Sequence, residues 1–293
     1  MNTSHIFLDK APLNEEEAKA AKVAIISAPL DLTTSFQKGT AQGPEAILEA
    51  SQAVELYDIV KKKDFSTVGV VTYPSPDFSE LQSSEDCLKL IESQVQSALD
   101  KNQWPIIFGG EHTISLAPLR VFNKMYQDDL CVLQFDAHAD LRESFEGSIY
   151  SHACVMKRVF DLKVPHVGVG IRNYCEEEAA LIEKHNIPIL HNHDVKKNNN
   201  IIDYSFIKKH LTKKNLYLTI DIDGFDPSEC PGTGTPEPDG LKWHQALPIL
   251  EKIFQDYNVV GMDINEVRPL PDDKRTEFFA AKLAYQCMGM KYF

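Results

Sequence analysis

Closely spaced cysteine pairs are absent from this sequence. The six cysteines are scattered over 293 residues without a CxxC pair, at Cys87, Cys131, Cys154, Cys175, Cys230 and Cys287. Disulfide frameworks belong mainly to short secreted chains, and a chain of this length has no need of one. We therefore interpret the cysteines as reduced thiols and expect a cytoplasmic protein.

Targeting signals and positive charge are scarce as well. Met1–Lys10 has no basic region followed by an apolar run, so we expect no signal peptide, and we find no transmembrane segment. Only 30 basic residues stand against 43 acidic ones, and the formal net charge is −13. This balance disfavours binding to nucleic acid or anionic membranes. It is compatible with a small cationic substrate, although solubility alone explains most of the acidic excess.

Repeats and linkers are also absent, and short apolar runs alternate with helical patterns. The runs are rich in β-branched residues and almost continuously apolar, which is typical of strands buried on both faces of a parallel sheet. The predicted strands are 22–27, 67–72, 105–108, 130–135, 166–169, 187–190, 215–220 and 259–262. The predicted helices are 44–56, 84–99, 175–185, 205–211, 243–257 and 276–288, and Lys196–Asn200 reads as a polar turn. This alternation predicts one doubly wound α/β domain over residues 1–293.

Four predicted strands run directly into acids or histidines. They lead into Gly109-Gly110-Glu111-His112, Asp136-Ala137-His138-Ala139-Asp140, Asp221-Ile222-Asp223 and Asp263-Ile264-Asn265-Glu266. Ligands of open α/β sheets bind beyond the carboxyl ends of the strands. Residues two apart in an extended chain point to the same side, so each of the aspartate motifs should face one point.

This clustering of acids indicates a metal site. Four carboxylates would repel one another, and two divalent cations balance their charge, while two neutral imidazoles add nitrogen ligands. The six residues are His112, Asp136, His138, Asp140, Asp221 and Asp223. Such a mixed set suits Mn²⁺, with Ni²⁺, Co²⁺ or Zn²⁺ as alternatives. A single strand-end aspartate is usually a cap or turn residue, but DxHxD and DxD on separate strand ends rarely coincide by chance.

These motifs resemble the three signature blocks of the ureohydrolases, the family of arginase, agmatinase, guanidinobutyrase and formiminoglutamase. The resemblance extends from about Ser27 to the C-terminus. It includes the segments 29–31, 43–47, 233–236 and 263–267. It implies an arginase-like three-layer α/β/α fold with a mainly parallel sheet. It also implies two Mn²⁺ ions per chain at the six residues named above, and a homotrimer or homohexamer.

The resemblance also gives roles to His152 and Glu266. Hydrolysis of a guanidinium carbon needs a strong nucleophile, which a metal-bridging hydroxide provides at neutral pH. Glu266 resembles the glutamate that orients the substrate, and a carboxylate can accept paired hydrogen bonds from a guanidinium group. His152 resembles the histidine that carries a proton to the leaving amine. We expect Cys154 to be a packed thiol, and no role for the remaining histidines, including His191 and His193 beside Asp194.

The segment Leu141–Tyr150 bears on the substrate. It lacks the Asn-Thr-Pro and Ser-Gly-Asn runs of arginases and resembles the agmatinase segment, so we expect hydrolysis of agmatine to putrescine and urea. Glu143 or Glu146 could face the distal ammonium, although loop acids of this kind are more commonly just exposed. The stretch Gln37–Gln42 lacks the family's usual arginines, and Ala153 replaces a common glycine, which leaves the substrate open.

Three alternatives remain at this point. The chain could be a sister ureohydrolase, namely an arginase, guanidinobutyrase, formiminoglutamase or guanidinase. It could be a catalytically silent metal-binding relative. It could also be a deacetylase of related fold, which would require a single-metal site.

Overall fold

The structure, a computed structural model, describes residues 5–12, 14–81 and 83–293. The prediction on Met1–Lys10 therefore rests partly on positions 1–4, which lie outside the described residues. Within the described ranges, no helix combines the length and the hydropathy that crossing a membrane requires.

The described residues form ten strands, and eight of them build one parallel sheet. In chain order the strands are β1 (Val23–Ala28), β2 (Tyr57–Asp58), β3 (Lys63–Asp64), β4 (Val70–Thr72), β5 (Trp104–Gly109), β6 (Leu130–Phe135), β7 (His166–Ile171), β8 (Ile189–His191), β9 (Asn215–Asp221) and β10 (Asn258–Asn265). The sheet order is β4-β1-β5-β10-β9-β6-β7-β8, and β2 with β3 forms a separate antiparallel pair. Every pairing within the large sheet is parallel.

Helices cover both faces of this sheet. They are α1 (Glu15–Ala20), α2 (Gly43–Ser51), α3 (Ser84–Asp100), α4 (Leu116–Tyr126), α5 (Val155–Asp161), α6 (Glu176–His185), α7 (Asn192–Lys197), α8 (Tyr204–His210), α9 (Trp243–Asp256) and α10 (Arg275–Tyr292). Apolar side chains of α2 and α7–α10 pack in one core layer, and those of α3–α6 pack in the other. The predicted three-layer α/β/α fold is confirmed.

Alternating side chains of the strands supply the two cores. In β1, Val23 and Ile25 belong to one apolar cluster, and Ala24 and Ile26 belong to the other. Each residue of this strand is buried, because neither face meets water. A strand covered on both sides needs a continuous apolar run, and this is the pattern that the sequence shows.

All eight predicted strands lie in the sheet, whereas several helices differ from the prediction. The helix predicted for 44–56 ends at Ser51, and α1, α4, α5 and α7 were not predicted. Three of these four have only six or seven residues, too few to show a helical period. Lys196 and Lys197, predicted as part of a polar turn, form the end of α7.

The four strands that precede the acidic motifs are neighbours at the centre of the sheet, in the order β5-β10-β9-β6. The chain turns sharply after β5 at Gly109 and Gly110. A Cβ on Gly109 would lie 2.0 Å from Asn265 Oδ1, and one on Gly110 would lie 2.0 Å from the Leu30 carbonyl oxygen. Only glycine fits such close approach, so these residues allow the following histidine to turn toward the neighbouring strand ends.

Candidate metal centre and active site

His112 is fully buried and faces three carboxylates. Its Nδ1 lies 3.1 Å from Asp136 Oδ2, 3.1 Å from Asp140 Oδ2 and 3.4 Å from Asp221 Oδ2. These side chains come from the ends of three different strands, β5, β6 and β9. The parallel sheet thus brings together residues that lie more than a hundred positions apart in the chain.

The other nitrogen of His112 contacts a side chain of strand β9. Its Nε2 lies 2.7 Å from Thr219 Oγ1, and the Thr219 hydroxyl donates to Asp263 Oδ1 at 2.7 Å. Because that hydroxyl proton is committed to Asp263, Nε2 must be the donor and Nδ1 the unprotonated nitrogen. Such a second partner fixes the tautomer and orientation of a metal-binding histidine.

His138 forms a second group with Asp223 and Asp136. Its Nδ1 lies 3.0 Å from Asp223 Oδ2 and 3.7 Å from Asp136 Oδ1. Asp223 is held in place by the Ala137 amide, which donates at 3.1 Å, and by the Thr235 hydroxyl, which donates at 3.0 Å. Asp136 therefore offers one oxygen to each histidine and belongs to both groups.

Two site residues adopt a left-handed backbone. Asp140 has φ +52° and Glu266 has φ +61°. The predicted extended chain applies to the start of the DxHxD motif, but the turn at Asp140 is what directs its carboxylate toward His112. Backbone conformations of this kind cost free energy and cluster where a functional side chain must be positioned.

The protonation of this cluster reflects its excess of acids. Burial and the neighbouring Asp136 raise the pKa of Asp140 to about 7, and burial with Asp223 raises the pKa of Asp221 well above its usual value. Burial opposes protonation of His138, but Asp223 raises its pKa to about 10. The carboxylates thus attract positive charge strongly.

The donor set fits a pair of divalent cations. The ligand atoms of His112, Asp136 and Asp221 lie within 4.8 Å of one another, as do those of Asp136, His138 and Asp223. Carboxylate oxygens with imidazole nitrogens are the ligands that Mn²⁺, Ni²⁺ and Co²⁺ accept. The structure brings together all six residues that the sequence nominated.

Glu266 and His152 face the same cavity, which has a volume of about 240 Å³. Glu266 Oε1 accepts from the His112 amide at 2.7 Å, and the Glu266 amide donates to the Gly110 carbonyl at 2.7 Å. Glu266 is therefore fixed between two neighbouring strand ends.

His152 is positioned by Thr33 and Ser35, which the sequence analysis did not select although they lie between the segments 29–31 and 37–42 that it did. The Thr33 hydroxyl oxygen accepts from the His152 amide at 3.1 Å and lies 3.4 Å from its Nδ1, and Ser35 Oγ lies 3.5 Å from its Nε2. Buried Glu111 in turn accepts from the Thr33 amide at 2.6 Å and from its hydroxyl at 2.9 Å. Burial lowers the pKa of His152 to about 4, so its imidazole is neutral at pH 7.

The structure places Glu143 and Glu146 as exposed loop acids outside the cavity, so it does not support the alternative that either faces the substrate. Glu143 is largely exposed and forms ion pairs with Lys157 at 2.9 Å and Arg158 at 3.1 Å. Glu146 is exposed in a turn, and neither acid is among the described residues that line the cavity. The acids that do line it beyond the six ligand candidates are Glu178, Glu237 and Glu266.

Sequence reasoning missed the residues that support the site from other segments. Thr219 and Asp263 hold His112, and Thr33 holds His152. A polar residue inside an apolar strand, as in NLYLTI and VVGMD, was the available signal for the first two. Cys154 is buried as expected, and burial raises its pKa to about 11.

His191, His193 and Asp194 form a third group of side chains. His193 Nε2 lies 3.2 Å from Asp194 Oδ1, and His191 Nδ1 lies 3.7 Å from Asp194 Oδ2. His193 and Asp194 are exposed to solvent, unlike the ligand candidates of the central strands.

A parallel α/β/α sheet with buried carboxylates and imidazoles at its carboxyl edge is the arrangement of a hydrolase that uses divalent cations. The chain belongs to the arginase family, whose model, described as "Arginase family", matches residues 21–289. It is a hydrolase of the ureohydrolase type, as the following relatives indicate.

Similarity to individual proteins extends over most of the chain. It is 37% identical to the N(1)-aminopropylagmatine ureohydrolase of Synechocystis sp., covering 92% of this chain and 89% of the relative. It is 31% identical to the agmatinase of Pyrococcus horikoshii, covering 94% and 93%. The crystal structure of agmatine ureohydrolase of Thermoplasma volcanium is similar with a TM-score of 0.83 at 29% identity, covering 93% of this chain and 90% of that one.

Proposed function

We propose that this protein hydrolyses the guanidino group of an agmatine-type amine and releases urea, with agmatine converted to putrescine. The observation that carries the proposal is the pair of ligand groups that share Asp136. Residues of both groups line the same cavity as Glu266 and His152. Two divalent cations, for which we propose Mn²⁺ with Ni²⁺ or Co²⁺ as alternatives, would be held by His112, Asp136, His138, Asp140, Asp221 and Asp223. When bound, such cations supply a water molecule whose pKa is lowered toward neutrality.

Glu266 orients the guanidinium group. One carboxylate oxygen is occupied by the His112 amide, and the side chain borders the cavity. A buried carboxylate in this position can accept hydrogen bonds from the planar guanidinium and balance its charge. The carbon to be attacked would then face the ligand cluster.

His152 moves the proton that the reaction must relocate. Cleavage of the bond between the guanidino carbon and the tail nitrogen leaves an amine that requires a proton. The neutral imidazole can take up the proton that the attacking water releases on addition to the carbon and transfer it to that nitrogen. Thr33 and Ser35 hold both ring nitrogens within 3.5 Å, which keeps the ring directed into the cavity.

A longer polyamine is the second candidate substrate. A relative at 37% identity is named for N(1)-aminopropylagmatine, and another at 31% is named agmatinase. Exposed Glu176 and Glu177 follow the cavity residue Tyr174 in the chain and begin helix α6, so acids are available beyond the cavity for a further amine. Arg142 is the arginine among the described residues that line the cavity. Its guanidinium group packs over Phe145 and lies 3.8 Å from Glu178. These contacts disfavour binding of a substrate carboxylate by Arg142.

An assay of product release with a substrate panel tests this proposal. Protein loaded with Mn²⁺ is given agmatine, N(1)-aminopropylagmatine, arginine, guanidinobutyrate, formiminoglutamate and free guanidine under identical conditions. Urea is measured for the guanidino compounds and formamide for formiminoglutamate. We expect the highest kcat/KM for one of the first two. Equal or higher kcat/KM for any of the other compounds would assign the protein to a sister activity.

Absence of product with every compound would favour the silent relative, and one metal ion per chain would favour the deacetylase alternative.

We further propose that residues 1–293 form one catalytic domain that acts as a homotrimer or homohexamer in the cytoplasm. Light scattering of the purified protein tests the assembly. A monomer of 33.0 kDa with full activity would contradict it.

A further inference from the structure

The rim of the cavity contains one acid, Glu237, with a carboxylate oxygen that accepts no hydrogen bond from the described part of the chain. Given the proposed function, we propose that Glu237 binds the ammonium nitrogen at the far end of the butyl chain of the substrate. Asn173 and Arg172 hold it in position for this contact. The inference rests on the proposed function, since it names the residue that recognises the tail of the same substrate.

The other acids of the cavity are already engaged. Glu178 is buried, and its two oxygens accept from the Leu141 amide at 2.8 Å and the Cys175 amide at 2.8 Å. Glu266 accepts from the His112 amide next to the ligand cluster. Glu237 remains, and its side chain is 31% exposed, so it reaches both the cavity and solvent.

The backbone at Glu237 is held by several hydrogen bonds from one side chain, Arg172. The guanidinium of Arg172 donates to the carbonyl oxygens of Glu237 at 2.8 Å and Pro238 at 3.0 Å. The same group donates to the Asp223 carbonyl at 2.7 Å, which ties this loop to the metal-ligand segment. Arg172 is thus engaged by carbonyl groups and leaves the Glu237 carboxylate free. Rigid support of this kind lowers the entropy cost of binding a flexible substrate.

The carboxylate itself is oriented but not neutralised. Asn173 Nδ2 donates to Glu237 Oε1 at 2.6 Å, and Oε2 accepts no hydrogen bond from the described residues. The basic nitrogen within ion-pair distance in this part of the structure is His138 Nε2, at 3.8 Å. At 3.8 Å this pair is beyond hydrogen-bond distance, so Oε2 of Glu237 stays available to accept from an ammonium group.

The distance from the ligand cluster suits the length of the substrate. Glu237 is separated from Asp223 by the His138 ring, with contacts of 3.0 Å on one side of the ring and 3.8 Å on the other. An extended chain advances about 3.6 Å for every three bonds, hence roughly 7 Å for the six bonds from the guanidino carbon to the amine of agmatine. In N(1)-aminopropylagmatine a charged secondary amine occupies the same position. Glu237 would therefore bind both polyamines and discriminate against guanidino compounds with uncharged or acidic tails.

The experiment compares two substrates that differ only in the tail amine. Agmatine and n-butylguanidine are assayed with wild-type protein and with Glu237→Gln, both loaded with Mn²⁺. Loss of a charge-assisted hydrogen bond should lower kcat/KM for agmatine by at least about tenfold, mainly through KM. The fall for n-butylguanidine should be much smaller, and metal content should not change. Glu237→Asp, which keeps the charge, should recover part of the loss.

Glu143→Gln is the matched control, because Glu143 lies outside the cavity in ion pairs with Lys157 and Arg158. It should change neither substrate's kcat/KM. Glu237→Lys should reverse the preference toward 4-guanidinobutyrate, whose tail carries a carboxylate.

Two outcomes would overturn the assignment. Equal losses for both substrates with reduced metal content would show that Glu237 instead orients His138, and unchanged kcat/KM for agmatine in a folded Glu237→Gln variant would remove it from substrate binding. Failure of the proposed function is distinguishable, because the wild-type protein would then release urea from neither compound.

Discussion

The two edges of the central sheet differ in buried charge and in backbone conformation. At the carboxyl edge, His112, Asp221 and Asp136 are buried within a few ångströms of one another, and the backbone is left-handed at Asp140 and Glu266. At the amino edge, the buried ring of Trp104 has a neutral partner. Its Nε1 donates to the Val259 carbonyl at 3.0 Å, and the ring packs against apolar neighbours.

This difference shows that the residues for catalysis and those for stability can lie at opposite edges of one sheet. All the strands of a parallel sheet end at the same edge, so acids that follow the strands accumulate there, whereas the strand beginnings can be packed without charge. Burial of unpaired carboxylates is unfavourable, and it is tolerated where cations or substrate supply the balancing charge. Substitutions at the carboxyl edge should therefore lower activity more than stability, and substitutions at the amino edge should lower stability more than activity.

The largest effect is expected from Asp136→Asn at the carboxyl edge. Because Asp136 offers an oxygen to both histidine groups, its loss should release metal and abolish nearly all urea formation. Elemental analysis of the wild-type protein should give two ions per chain, and Mn²⁺ should raise Tm in the wild type but not in the variant.

Asp194→Asn in the exposed His191–Asp194 group is the control, and it should keep both ions and full activity. Active wild-type protein containing a single ion would rule out the dinuclear site.

His152→Ala changes a residue at the carboxyl edge that is not one of the proposed metal ligands. General acid–base groups contribute about 10²–10⁴-fold, so kcat should fall in that range while both ions and KM for agmatine are retained. Steady-state kinetics with parallel metal analysis measures this. If kcat remained at the wild-type level from pH 6 to pH 9, His152 would have no part in proton transfer.

Trp104→Ala at the amino edge should give the opposite result. The ring is buried and packs edge-on against Phe254 and Tyr292, and loss of a large aromatic side chain from a core costs about 3–5 kcal/mol. Urea denaturation should show this loss in the free energy of unfolding, and kcat of the folded protein should stay within about twofold, since its site lies at the other end of the strand. A large fall in kcat without loss of stability would refute the separation of the two edges.

The smallest effect concerns pH and His166, which begins β7. Burial lowers its pKa from an ordinary value near 6.5 to about 4, and its Nε2 has no hydrogen-bond partner among the described residues. The unfolded chain then binds the proton more readily than the folded one, so stability falls as pH decreases from about 6.5 to 4. The shift corresponds to about 3 kcal/mol at pH 4.

Unfolding free energies of wild type and His166→Asn, measured from pH 7 to pH 4, isolate this contribution. The difference between the two proteins should shift in favour of the variant as pH decreases. A difference that does not change with pH would show that His166 accepts a proton in the folded state.

The sequence alone determined the sheet and the nominated ligands, because both depend on local patterns. A strand buried on both faces must be apolar along its length, and all eight predicted runs lie in the sheet. DxHxD and DxD place donors on one side of a strand end through short-range geometry. The short helices α1, α5 and α7 were missed because six or seven residues do not complete a recognisable period.

The tertiary structure alone decided which side chains surround these ligands. The sequence left open whether Glu143 faces the substrate or solvent, and ion pairs with Lys157 and Arg158 hold it outside the cavity. Asn173 and Glu237 meet although they are 64 positions apart, and Thr33 reaches His152 across 119 positions. Such contacts depend on how loops from different strands converge at one edge. Local periodicity contains no information about that convergence, because it is set by the order of the strands in the sheet.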